Sequence, residues 1–138
     1  MEGSQKYQEQ LIQIQYFREQ YSMIEGQLEL MNASLGNILN TKTTIQNIKQ
    51  GVKEDDEILV PIGGLVNIKA IIKEPEKILL SIPQDVVIEK DLDGAIEFLD
   101  ENIEKHNQQI EYLSNQLQKV EMTLRQISEN VQRAYSQQ

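Results

Sequence analysis

Two long heptad repeats, separated by a segment that breaks their period, restrict this chain more than any other feature. The first repeat places Tyr7, Ile14, Tyr21, Leu28 and Leu35 at a, with Phe17, Ile24, Met31, Ile38, Ile45 and Val52 at d. Apolar residues at alternating spacings of three and four form a stripe that one helix cannot hide, so the pattern requires a partner helix. Gln10 at an early d position and Lys42 and Lys49 at late a positions interrupt this seam near its ends. Proline is absent before Pro61, and Gly26 and Gly36 fall off the seam, where each costs about 1 kcal/mol without ending a helix. The spacing predicts a first arm over about residues 5–50, roughly 65 to 70 Å long at 1.5 Å per residue.

The second repeat holds more strictly. It places Ile96, Ile103, Ile110, Leu117, Leu124 and Val131 at a, and Leu92, Leu99, His106, Leu113, Val120, Ile127 and Ala134 at d. Asp91 is the expected N-cap, and Asp93, Glu97, Asp100 and Glu101 complement the positive end of the helix dipole, so a second arm is predicted over about 91–138. Two arms of similar length bury each other's seams most simply as an antiparallel hairpin, with both chain ends at one tip.

Between the arms the period falls to two. Ile58, Val60 and Ile62 alternate before Gly63-Gly64, and Val66, Ile68, Ala70 and Ile72 alternate after it, which reads as a hairpin closed by the two glycines. A turn around Pro75 and two further strands, residues 78–82 and 86–88 on either side of Pro83-Gln84-Asp85, make a second hairpin. The strand segment therefore occupies about 57–89. Leu59, Leu65, Ile71, Leu79 and Val87 make the opposite faces apolar as well. Isolated hairpins with open edges are marginal in water, so the strands are expected to pair with other subunits into a closed barrel or double sheet. Ile58, Val60, Ile62, Val66, Ile68, Ile72, Leu80, Val86 and Ile88 are the candidate assembly residues. The fold class is α+β and mainly α: a coiled-coil hairpin whose arms are joined by two β-hairpins, within one domain spanning 1–138.

Composition excludes several functions. At 138 residues the chain has no room for separate catalytic and cofactor domains. Its formal charge of −9, from 13 Lys+Arg against 22 Asp+Glu, repels nucleic acid and anionic lipid. With no cysteine and one histidine, neither a thiolate nucleophile nor a metal site is expected, and Gly63-Gly64 lacks the spacing of a phosphate-binding loop. No catalytic residues, metal or cofactor are expected. No apolar run is long enough to span a membrane and the N-terminus does not resemble a secretion signal, so a cytoplasmic protein is expected.

The ILVPIGG of residues 58–64, the KEPEK turn of 73–77 and the VVIEKDLDGAIEFL of 86–99, flanked by heptad arms, resemble the prefoldin family, specifically its archaeal α-type subunit. Four strands rather than two carry the α-type resemblance. It implies a hexamer of two α-type and four β-type subunits on a β-barrel platform. It further implies a chaperone that holds unfolded proteins at the coiled-coil tips without ATP and passes them to a group II chaperonin. Two departures stand out. Leu65-Val66-Asn67 replaces an aromatic common after the first turn, and Pro83-Gln84-Asp85 replaces a glycine-containing one.

A two-stranded coiled coil leaves polar groups outside its seam, yet Leu11 (e), Ile12 (f) and Tyr16, Met23 and Leu30 (all c) are apolar, as are Met122 (f) and Tyr135 (e). Isolated surface apolar residues are ordinary, but a band at the tip is the expected place for clients. Tyr7, Leu11, Ile12, Tyr16, Met23, Ile127, Val131 and Tyr135 are the candidate client-binding residues. His106, at a d position, is expected to loosen or register the seam. The alternative to a holding chaperone is a structural scaffold or filament-forming relative without client binding.

Overall fold

The computed structural model describes residues 2–136. Its order is α1 (Glu2–Gly51), β1 (Glu57–Gly63), β2 (Val66–Ile71), β3 (Lys77–Ile82), β4 (Val86–Asp91) and α2 (Leu92–Ser136). Two long helices and two small antiparallel hairpins make up the fold; Met1, Gln137 and Gln138 lie outside the described residues. The contacts divide the chain into two units, residues 1–35 with 105–138 and residues 36–104.

In the first unit, partial burial follows the seam: Ile14, Phe17, Tyr21, Ile24, Leu28, Met31 and Leu35 are half-buried on α1, while Leu113 is buried and Ile110, Leu117, Val120, Leu124, Ile127 and Val131 are half-buried on α2. Gln10, the polar exception, is half-buried too. The two segments are antiparallel. Ser34 near one end of this α1 segment meets His106 near the start of this α2 segment, with Ser34 Oγ 3.0 Å from Nε2. At the other end, Lys6 and Tyr7 share a hollow with Asn130 and Arg133.

The second unit contains most of the buried core. Ile45, Leu92, Ala95 and Leu99 are buried together, with Ile38, Ile48, Ile78, Ile96 and Phe98 packed around them. Ala95 is fully enclosed, a place where a small side chain permits close packing. The seam departs here from the expected register. Ile48 is half-buried and Lys49 is exposed, paired to Asp93 at 2.6 Å, although the heptad count assigned Lys49 to a. An apolar neighbour one position earlier spares the ammonium its desolvation cost, so the seam takes Ile48 instead. Lys42 has no such neighbour and stays on the seam, its charge met by Asp100 at 2.6 Å.

Each hairpin is its own two-stranded sheet. In the first, Glu57 pairs with Ile71 and Pro61 with Asn67, and then the register shifts so that Gly63 pairs with Val66. Without the shift the loop would contain Gly63, Gly64 and Leu65; with Ile62 bulged, Gly63 joins the ladder and Gly64-Leu65 alone form the turn. This corrects the expected Gly63-Gly64 turn. Neither glycine has a positive φ, and Leu65 takes the left-handed conformation at φ 63. Pro61, which has no N–H to give, sits beside the point where pairing becomes irregular.

The second hairpin pairs Lys77 with Asp91 through to Ile82 with Val86, leaving Pro83-Gln84-Asp85 as its loop, with φ 81 at Gln84 and 61 at Asp85. β4 continues to Asp91, beyond the expected end at Ile88, because Glu89, Lys90 and Asp91 go on pairing with Leu79, Ile78 and Lys77, and Leu92 N donates to Glu76 O at 3.1 Å just past them. Asp91 then caps α2, accepting a 2.7 Å hydrogen bond from Gly94 N.

Candidate functional site

Two surfaces have apolar side chains with nothing over them, one in each unit. In the second unit it is the hairpins. Cross-strand pairing brings Ile58 opposite Ala70 and Val60 opposite Ile68, and in the other hairpin Leu80 opposite Ile88 and Ile82 opposite Val86. Among the candidate assembly residues, Ile58, Val60, Ile62, Val66, Ile68, Val86 and Ile88 are exposed, whereas Ile72 and Leu80 are half-buried. Ile72 lies just past β2, where its N–H and carbonyl bond to Asp56 O and Asp55 N at 3.0 and 2.9 Å.

The alternate faces carry Leu59, Ile71, Leu79 and Val87, all exposed as expected, with charged residues among them. Leu59 pairs with Lys69, Glu57 with Ile71, Leu79 with Glu89 and Lys77 with Asp91. The charges on these faces answer one another, Lys69 to Glu57 at 3.7 Å and Lys77 to Glu89 at 3.8 Å. Both faces of each hairpin therefore leave large apolar side chains in water, one face with charges among them. Both strands of a two-stranded sheet are also edges, with N–H and C=O groups open to further pairing.

In the first unit the large exposed apolar residues lie outside the helix seam, except Tyr7, which the heptad count puts at a but which the fold leaves exposed. Tyr7, Leu11, Ile12, Tyr16, Met23 and Leu30 are exposed on α1, and Met122 and Tyr135 on α2. Ile12 at 67%, Leu30 at 73% and Tyr135 at 76% keep most of their surface in water, which a side chain supporting its own helix pair would not. Tyr16 stands edge-on to Phe17 with ring centres 5.2 Å apart, so an exposed aromatic is steadied by one in the seam. Ile127 and Val131 are half-buried at seam positions. Tyr7 is brought to the α2 end, where it lines one hollow with Asn130, Arg133 and Ala134; Met122 lines another made wholly by α2, beside Lys119, Arg125 and Gln126. Tyr112 in this unit and Leu39 in the other are also exposed and were not among the sequence candidates. Their c and e positions in the same heptad count were the signal that could have found them.

Among the described residues no group of three or more His, Asp or Glu could hold a metal ion, and no helix is long and apolar enough to cross a membrane.

Two heptad helices joined through two separate β-hairpins with open apolar faces define a coiled-coil subunit that is made to assemble. The Prefoldin family, described as "Prefoldin subunit", matches residues 17–137. A prefoldin subunit alpha of Thermofilum pendens is 30% identical over 120 residues, covering 82% of this chain and 92% of the relative. Those of Methanoregula boonei, 29% identical over 134 residues with 94% and 86% covered, and of Pyrococcus horikoshii, 25% identical over 124 residues with 90% and 84% covered, are similar over more of this chain. Among solved structures, a filamentous PFD from Methanocaldococcus jannaschii shares the fold, with a TM-score of 0.74 over 85% of this chain and 96% of that one at 14% identity. The chain belongs to the prefoldin family. Its relatives are α subunits of prefoldin, and it is a chaperone subunit of the same kind.

Proposed function

We propose that this subunit holds unfolded proteins, without nucleotide, on the apolar side chains that stand outside the seam in the unit formed by residues 1–35 and 105–138. We read residues 1–138 as one prefoldin-type domain that works in the cytoplasm beside β-type subunits, two α-type with four β-type, and hands its clients to a group II chaperonin. The exposure of Leu11, Ile12, Tyr16, Met23 and Tyr135 carries this reading, because these side chains stabilise neither helix pair nor hairpin. Methionine and tyrosine suit such a surface: one adapts its shape, and the other offers a flat apolar ring with a polar tip. Surrounding glutamines keep the surface soluble and let weak contacts release.

The test is aggregation suppression of a chemically denatured protein, without ATP, by the chain assembled with β-type partners. Replacing Ile12, Tyr16 and Tyr135 by Ser should weaken protection severalfold while leaving the assembly's mass unchanged. An intact wild-type assembly that gives no protection would leave a scaffold as the better description.

A further inference from the structure

The helix ends of the first unit hold a second kind of chemistry beside the apolar band. Lys6 on α1 and Arg133 on α2 line one open hollow, together with Tyr7, Gln10 and Asn130. Gly3 and Ala134, the remaining lining residues, keep its walls low. The chain has a formal charge of −9, yet no carboxylate lines this hollow; Glu2, Glu9 and Glu129 are close in sequence but outside the lining.

Five of the chain's 13 basic residues, Lys42, Lys49, Lys69, Lys77 and Arg125, form ion pairs with Asp or Glu. Among the described residues neither Lys6 nor Arg133 does so. Two like charges contributed by different helices to one hollow repel each other unless an anion lies between them. The groups around them are donors suited to such an anion. A guanidinium offers a planar fork matching a carboxylate, an ammonium adds a movable point charge, and the Tyr7 hydroxyl and the Gln10 and Asn130 amides add neutral hydrogen bonds.

We propose that this hollow receives the carboxylate of an acidic residue in an unfolded segment whose apolar neighbours lie on the adjoining band. The proposal rests on the client-holding reading and adds to it a charge preference, so that apolar segments bearing Asp or Glu are held in preference to equally apolar neutral ones.

The test uses the full chain in its assembly and two fluorescent peptides, one of Leu, Phe and Ser with two Asp and its twin with Asn in their place. By fluorescence anisotropy at about 50 mM salt the Asp peptide should bind about three- to tenfold more tightly, the range expected of two exposed charge contacts. The difference should close at about 0.5 M salt, where screening acts within a few ångströms. Replacing Lys6 and Arg133 together by Gln should abolish the preference and leave the affinity for the Asn peptide unchanged. Equal binding of both peptides by the wild type, or a preference that survives in the double variant, overturns the proposal and leaves client holding intact. Binding of neither peptide overturns both.

Discussion

Asp91 and Gly94 show how two residues can set the start of a helix. The carboxylate accepts its hydrogen bond at 2.7 Å in a position that a side chain at residue 94 would crowd, since a Cβ there would lie 2.6 Å from Asp91 Oδ1. Asp91→Ala should cost about 1 kcal/mol through loss of the cap. Gly94→Ala alone should change stability by less than about 0.5 kcal/mol, because better helix propensity is offset by disruption of the cap. In the Asp91→Ala background the same change should stabilise by about 0.5 to 1 kcal/mol. Urea unfolding of the four proteins measures the coupling, and strict additivity would show that the cap does not depend on the bare glycine. Leu65 is the opposite case. A bulky residue occupies the left-handed position of the first turn, at a cost of roughly 1 to 2 kcal/mol. Leu65→Asn, which tolerates that conformation, should raise the stability of the isolated chain by about 0.5 kcal/mol in the same assay.

Among the elements, the helices are held by a seam that is apolar except at a few positions, and those positions differ in what they do. Lys42 sits on the seam with its side chain 29% exposed, and its partner Asp100 is 50% exposed. An ion pair so open to water contributes at most about 1 kcal/mol, while an aliphatic side chain half-buried there would contribute about as much again without a desolvation cost. Lys42→Leu should therefore raise the melting temperature by a few degrees. A fall would mean that the lysine specifies register, as a polar a position can. The heptad pattern made both arms legible from sequence, with burial at most of the positions the spacing gave, though Tyr7 and Ala134 are exposed. It misplaced the seam at 48–49 because a spacing rule counts positions, whereas the folded chain compares the cost of burying an isoleucine with that of burying an ammonium. The strands were legible as well. The turn was not: its position follows from a bulge at Ile62 next to Pro61, and pairing irregularities leave little trace in an alternating pattern.

For the whole molecule, we propose that the hairpins carry the assembly and the off-seam band the holding of clients, so the two should respond separately to mutation. Val66→Lys with Ile68→Lys places two ammonium groups in the first hairpin, on residues that are exposed in the single chain. If partner subunits cover them, burying these charges would cost several kcal/mol, and light scattering should report monomers or partial complexes. An unchanged mass would mean that this hairpin is not covered. The Ser variant at Ile12, Tyr16 and Tyr135 should behave in the reverse way, keeping its mass and losing protection.

Local and periodic properties were fixed by the sequence alone: two helical arms, two hairpins, the cap at Asp91, and the apolar residues left over at positions a coiled coil does not need. Each depends on neighbours within a few residues, where backbone geometry converts spacing into direction. Tertiary structure decided which atoms from distant segments meet. It set Ser34 against His106 and Lys42 against Asp100, buried Ala95 beside Ile45, and brought Lys69 to Glu57 and Lys77 to Glu89 on the hairpins. Lys6 and Arg133 came to one hollow in the same way. Such meetings depend on the exact phase of one helix or strand against another, which no single segment encodes.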